Sequence, residues 1–76
     1  MSMEKLLKIY SKLQEEQPLQ LNLKHDKIAY WTIQIFHEDS QTIIFEGQNY
    51  DLDFLGSQAY IALYSWFLDK FEYLPW

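Results

Sequence analysis

The side chains that could perform chemistry are concentrated in two short polar segments. His37, Glu38 and Asp39 are consecutive, and His25 stands next to Asp26. Imidazole and carboxylate groups bind metal ions and transfer protons, so both segments have suitable residue types. However, three consecutive side chains cannot all point at one ion, and the turns of a three-strand meander lie at opposite ends of its sheet. We therefore expect solvated hairpin turns, without a metal ion or a cofactor.

A later segment offers two further candidates, a calcium loop and a nucleophilic serine. An EF-hand loop that starts at Asp51 needs glycine at its sixth position and glutamate at its twelfth. Gly56 and Ala62 occupy these positions, so the bidentate carboxylate is missing. Ser57 follows a glycine as in a nucleophile elbow, but the second glycine of that motif is absent. We expect Asp51, Asp53 or Ser57 to cap a helix, and we expect no catalytic residue and no enzyme activity.

Charge is distributed unevenly along the 76 residues, whose net charge is −5. The first 27 residues carry five lysines and four carboxylates, whereas the rest carries seven carboxylates and one lysine, Lys70. The chain has no arginine, the side chain best suited to bidentate recognition of phosphates and base edges. Both features disfavour direct binding of nucleic acid. Five carboxylates of the second part form a candidate acidic patch: Glu38, Asp39, Glu46, Asp51 and Asp53.

Length and composition predict one small domain over residues 1–76. Such a domain has a narrow stability margin, which disulfides, a metal, dense packing or oligomerisation can widen. There is no cysteine, so disulfides and thiolate zinc sites are excluded. No apolar run has the length of a signal peptide or a membrane span, so we expect a cytoplasmic protein that does not bind membranes.

Hydrophobic periodicity predicts a helix followed by three strands. Apolar residues recur at helical spacing over residues 3–16, and Pro18 ends this helix. Period-two alternation predicts strands over residues 19–23, 28–36 and 41–46, and their short polar turns predict antiparallel neighbours.

The alternation also predicts which side chains face the core. In the second strand these are Trp31, Ile33 and Ile35. The third strand leaves two options: either Ile43 and Phe45 point inward, or Thr42, Ile44 and Glu46 do. The expected fold is α+β, in the order α-β-β-β-α, with both helices packed on one face of a three-stranded antiparallel meander.

No proline interrupts the last predicted helix between Gly56 and Leu74, and Pro75 marks its stop, while its start stays open. Two adjacent apolar stripes cover most of its circumference, and Ile61 interrupts the narrow polar remainder. A three-stranded sheet covers only one side of such a helix, so a second side needs another cover.

Tyrosine and tryptophan are enriched at protein interfaces, and this helix is rich in aromatics. We therefore predict a non-enzymatic interaction domain that binds a second copy of itself or another protein, most simply as a homodimer. The candidate interface residues are Tyr60, Tyr64, Phe67, Phe71, Leu74 and Trp76.

Two other functions are considered. The acidic patch could mimic nucleic acid and inhibit a nucleic-acid-binding protein, and the element order is similar to that of some small phage-encoded anti-CRISPR proteins. This resemblance is one of topology, with no shared residues. A ligand or catalytic pocket between the sheet and the helices is disfavoured, because so small a core leaves little room for one.

Overall fold

The computed structural model describes residues 2–28 and 30–72 and confirms the α-β-β-β-α order. Helix α1 spans Ser2–Gln14 and helix α2 spans Leu52–Phe71. The strands between them are β1 (Leu19–His25), β2 (Trp31–His37) and β3 (Thr42–Asn49).

Helix α1 forms because its buried side chains share one face. Leu6, Ile9 and Leu13 are buried at helical spacing. The backbone N–H groups of Glu16 and Gln17 both donate to the carbonyl of Leu13, at 3.0 and 2.9 Å, and this closes the last turn before the chain enters β1.

The sheet is an antiparallel meander in the order β1-β2-β3. Leu21 of β1 pairs with Ile35 of β2, which pairs with Phe45 of β3. Ile33 and Ile35 are fully buried, as predicted, and Trp31 at the start of β2 is half-buried.

A β-bulge decides which residues of β3 face the core. Ile35 pairs with Phe45 but Phe36 pairs with Ile43, so Ile44 is the extra residue. Ile43 is 52% exposed, whereas Ile44 and Phe45 both pack against the core. The first predicted option for β3 is right for Phe45 and the second is right for Ile44 alone, because the bulge interrupts the alternation that both options assumed.

The limits of α2 follow from its two caps. Asp51 is the N-cap, and its side chain accepts a hydrogen bond from the N–H of Phe54 at 3.1 Å. At the other end Glu72 has a left-handed conformation (φ 59°) and its N–H donates to the carbonyl of Leu68. The helix therefore ends at Phe71, before the predicted Leu74.

Both helices pack on the same face of the sheet, as predicted. Helix α2 lies over β2 and β3, and α1 packs mainly beside α2. Gly56 permits this close approach, because a Cβ atom at that position would stand 2.8 Å from the Sδ atom of Met3. Ten side chains form the core: Leu6, Ile9, Leu13, Leu19, Ile33, Ile35, Leu55, Ala59, Leu63 and Phe67.

Candidate protein-interaction surface

The side of α2 that faces the sheet and α1 is fully covered. Leu55, Ala59, Leu63 and Phe67 are each fully buried there. Phe67 was predicted at the interface, and that prediction is wrong, since the side chain belongs to the core of the monomer.

The other described interface candidates border this covered side. Tyr60, Tyr64 and Phe71 are half-buried and pack against the core. The ring of Phe71 lies 4.7 Å from that of Phe67 and 5.8 Å from that of Trp66. These aromatics mainly widen the monomer core, although each keeps an exposed edge. The last two candidates, Leu74 and Trp76, lie outside the described residues.

The opposite side of α2 carries a row of exposed apolar side chains, Phe54, Ile61 and Leu68, which we call the α2 seam. Their exposed fractions are 51%, 62% and 42%. They follow one another at intervals of seven residues, and positions seven apart on an α-helix differ by only about 20° around its axis. Gln58 and Ser65 lie exposed along the same side and carry no charge.

The aromatic content of α2 predicts an interface that includes Tyr60, Tyr64 and Phe71, whereas the α2 seam lies on the side of the helix away from the core. Ile61 interrupts the polar side in the helical pattern, and in the structure it is the centre of this exposed apolar row. The seven-residue interval from Phe54 to Leu68 is the signal that could have revealed it.

A surface groove of about 740 Å³ lies along α1; seven α1 residues line it, and Tyr60 is its one contribution from α2. The seven are Lys5, Leu7, Lys8, Ile9, Ser11, Lys12 and Glu15. A second, smaller groove of about 200 Å³ lies between α1 and α2 and is lined by Lys5, Ser57, Tyr60 and Ile61. Because Ile61 belongs to both the smaller groove and the α2 seam, these two features adjoin.

The candidate acidic patch is divided by the fold. Glu38 and Asp39 lie in the turn after β2, whereas Asp51 and Asp53 lie beyond the other end of β3. The eight residues of β3 separate these pairs by about 25 Å. Glu46 lies between them, opposite Gln34 on the sheet face that is turned away from the helices. The structure therefore does not bring the five carboxylates together.

His37 is a structural residue, contrary to the predicted solvated turn, since its side chain is only 8% exposed. The Ser40 N–H donates to Nδ1, so Nε2 carries the proton and donates to Oε1 of Gln17 at 3.2 Å. The Ser40 hydroxyl is 2.6 Å from Nδ1. The ring thereby ties the segment after α1 to the turn after β2.

The structure keeps the two predicted histidine segments apart. His25 ends β1, remote from His37, and its ring stacks on Trp31 with centroids 4.0 Å apart. Among residues 2–28 and 30–72, no three His, Cys, Asp or Glu side chains are placed to hold a metal ion.

Two tyrosines have perturbed acidity. Burial raises the pKa of Tyr10, whose hydroxyl donates to the carbonyl of Leu19 at 3.1 Å. A hydrogen bond with Tyr50 raises the pKa of Tyr30, and the rings of this pair stack 4.1 Å apart on the outer side of the sheet. Both phenols are held in their neutral form.

No protein-family model, curated protein or solved structure matches the chain. Neither helix, within the residues described, combines the length and apolar character that crossing a membrane requires. The α2 seam and the adjoining groove are therefore the features from which a function is argued.

Proposed function

We propose that the chain is a cytoplasmic, non-enzymatic interaction domain that forms a homodimer through the α2 seam. One observation carries the proposal: Phe54, Ile61 and Leu68 place an apolar row on the side of α2 opposite the core. Exposed apolar side chains that stand alone are common on protein surfaces, but a row that follows one helix face marks a contact site.

The spacing of the α2 seam suits a two-fold symmetric contact. In an isologous dimer the same patch of both copies meets at the symmetry axis. Ile61 lies midway between Phe54 and Leu68, so an axis beside Ile61 brings the two seams together over their whole length.

The exposed area predicts a weak dimer. Complete burial of one large apolar side chain contributes about 1.5–3 kcal/mol, and about half of each seam residue is exposed, so two copies gain roughly 5–9 kcal/mol. Association costs at least about 4 kcal/mol in lost translational and rotational freedom. The net gain is at most about 5 kcal/mol, which corresponds to a Kd of about 0.2 mM or weaker, so the dimer should form only at high protein concentration.

Sedimentation equilibrium of the wild type, Ile61→Asp and Ile28→Asp tests the proposal. Ile61→Asp places a charge at the centre of the seam and should leave a monomer at all concentrations. Ile28 is the matched control, because it is an isoleucine of similar exposure, 72% against 62%, in the turn before β2. We expect Ile28→Asp to associate like the wild type.

Two results contradict the proposed function. One is a wild type that stays monomeric up to millimolar concentration. The other is an association that Ile28→Asp and Ile61→Asp weaken equally, because the contact would then not be specific to the α2 seam. Circular dichroism of each variant confirms that the fold is retained.

A further inference from the structure

We infer that Tyr30 and Tyr50 are a site of oxidative cross-linking, at which a one-electron oxidant joins the two rings by a carbon–carbon bond. The bond ties the start of β2 to the segment between β3 and α2. Small domains commonly need a staple, and this chain has no cysteine to supply a disulfide. The inference is independent of the proposed homodimer, because neither tyrosine belongs to the α2 seam.

The sheet register places the two tyrosines opposite each other. Trp31, the first residue of β2, pairs with Asn49, the last residue of β3. Tyr30 and Tyr50 are the next residues outward in the same register, so their side chains are cross-strand neighbours on the outer side of the sheet. Their rings stack with centroids 4.1 Å apart and planes inclined by 25°.

Hydrogen bonds next to each tyrosine hold the two backbones in place. The Asp26 carboxylate accepts from the N–H of Tyr30 at 3.1 Å, and the Asp26 N–H donates to the Tyr30 carbonyl at 3.0 Å. On the other strand the N–H of Asp51 donates to the side chain of Asn49 at 2.9 Å. Groups held in contact react as if at very high concentration, so a bond within one chain forms faster than a bond between chains.

The hydroxyl groups lie at the same end of the stack, which is the end where phenol rings couple. A hydrogen bond with Tyr50 raises the pKa of Tyr30, so the two oxygens are adjacent. The Cε atoms flank each hydroxyl, and in a phenoxyl radical they carry much of the unpaired electron. Tyr50 is 63% exposed, which gives an oxidant access and lets its ring turn toward that of Tyr30.

The reaction balances with hydrogen peroxide as the terminal oxidant and a haem peroxidase as the one-electron carrier. Each phenol loses one electron and one proton, and the peroxide takes up both pairs as its O–O bond breaks, which gives two molecules of water. The two phenoxyl radicals then form one bond between their Cε atoms. The hydrogen on each of these carbons moves to the phenol oxygen, so both phenols are restored and the protein is lighter by two hydrogen atoms.

Oxidation with hydrogen peroxide and a haem peroxidase at micromolar protein concentration tests the site. We expect dityrosine fluorescence in a product that runs as one chain on a denaturing gel, and peptide mapping should place the bond between Tyr30 and Tyr50. Tyr30→Phe and Tyr50→Phe each keep a ring in the stack but cannot form both radicals. Each variant should therefore lose at least about tenfold of the fluorescence yield.

A second tyrosine pair provides the matched control. Tyr60 and Tyr64 stand one turn apart on α2, with ring centroids 6.2 Å apart, and both are half-buried. Because these rings are farther apart and less accessible, Tyr60→Phe/Tyr64→Phe should retain the wild-type yield. Circular dichroism shows whether every variant remains folded.

The cross-linked protein should also be more stable, because the bond closes the chain from residue 30 to residue 50 and restricts the unfolded state. We expect Tm to rise by at least about 5 °C relative to the untreated protein. Tyr30→Phe treated in the same way shows the effect of oxidation elsewhere. The inference is overturned if the wild type forms no dityrosine, if either single variant forms it equally well, or if the cross-link leaves Tm unchanged.

Discussion

The two sides of α2 are both apolar, but only one of them is buried. On one side Leu63 and Phe67 are fully buried, and on the other Ile61 and Leu68 remain exposed. The buried and the exposed positions alternate within a few residues, so the local hydrophobicity of the sequence is nearly the same for both sides of the helix. The difference is set by the tertiary fold, because β2, β3 and α1 together cover only part of the helix. Apolar character alone therefore does not distinguish a buried residue from an exposed one.

Alanine substitutions at two neighbouring positions sharpen this comparison most. Phe67→Ala removes a buried ring and should lower the free energy of unfolding by about 3–5 kcal/mol. Leu68→Ala changes a half-exposed side chain and should lower it by less than about 1 kcal/mol in the monomer. Urea unfolding at low protein concentration measures both.

Because so small a domain has a low total stability, the loss caused by Phe67→Ala is a large part of it. A 76-residue domain has a total stability of about 4–11 kcal/mol, so a loss of about 3–5 kcal/mol should move the urea midpoint of Phe67→Ala far below that of the wild type. Equal losses for Phe67→Ala and Leu68→Ala would show that the two sides of α2 are not differently covered.

Most of the fold was predictable because local patterns determine it. The helical spacing in α1 and the alternation in β1 and β2 were confirmed to within a few residues. The predicted ends of the helices and strands were less accurate where the backbone conformation of a single residue decides the end. The bulge at Ile44 and the left-handed Glu72 depend on tertiary context, and neither has a signal such as glycine or proline.

The candidate surface was less predictable than the fold. Sequence reasoning identified α2 as the element with surplus apolar area, which remains the basis of the proposed function. It selected Phe67 by aromatic character, whereas exposure depends on the angle at which α1 packs. Gly56 leaves room for the side chain of Met3, which packs against one flank of α2.

A larger residue at Gly56 should disturb the boundary between the covered and the exposed side. Gly56→Leu inserts a side chain where Met3 packs, and such overpacking costs about 1–3 kcal/mol. Gly56→Ala should cost less, because Sδ of Met3 can move and alanine gains about 1 kcal/mol of helix propensity. Urea unfolding should rank the variants in this order.

A compensating substitution identifies the cause of the Gly56 effect. Met3→Ala combined with Gly56→Leu restores space between the helices and should recover part of the lost stability relative to Gly56→Leu alone. If the two changes are simply additive, the loss does not arise from contact between α1 and α2.

The smallest expected effect concerns the N-cap, which supports both sides of α2 equally. Asp51→Ala removes the acceptor for the Phe54 N–H and should lower the free energy of unfolding by about 1 kcal/mol. Asp51→Asn keeps an acceptor oxygen and should lose less. Asp53→Ala is the control for charge, because Asp53 lies in the first turn and is not the cap. If Asp51→Asn and Asp51→Ala lose equal stability in urea unfolding, the contribution of Asp51 is its charge and not its hydrogen bond.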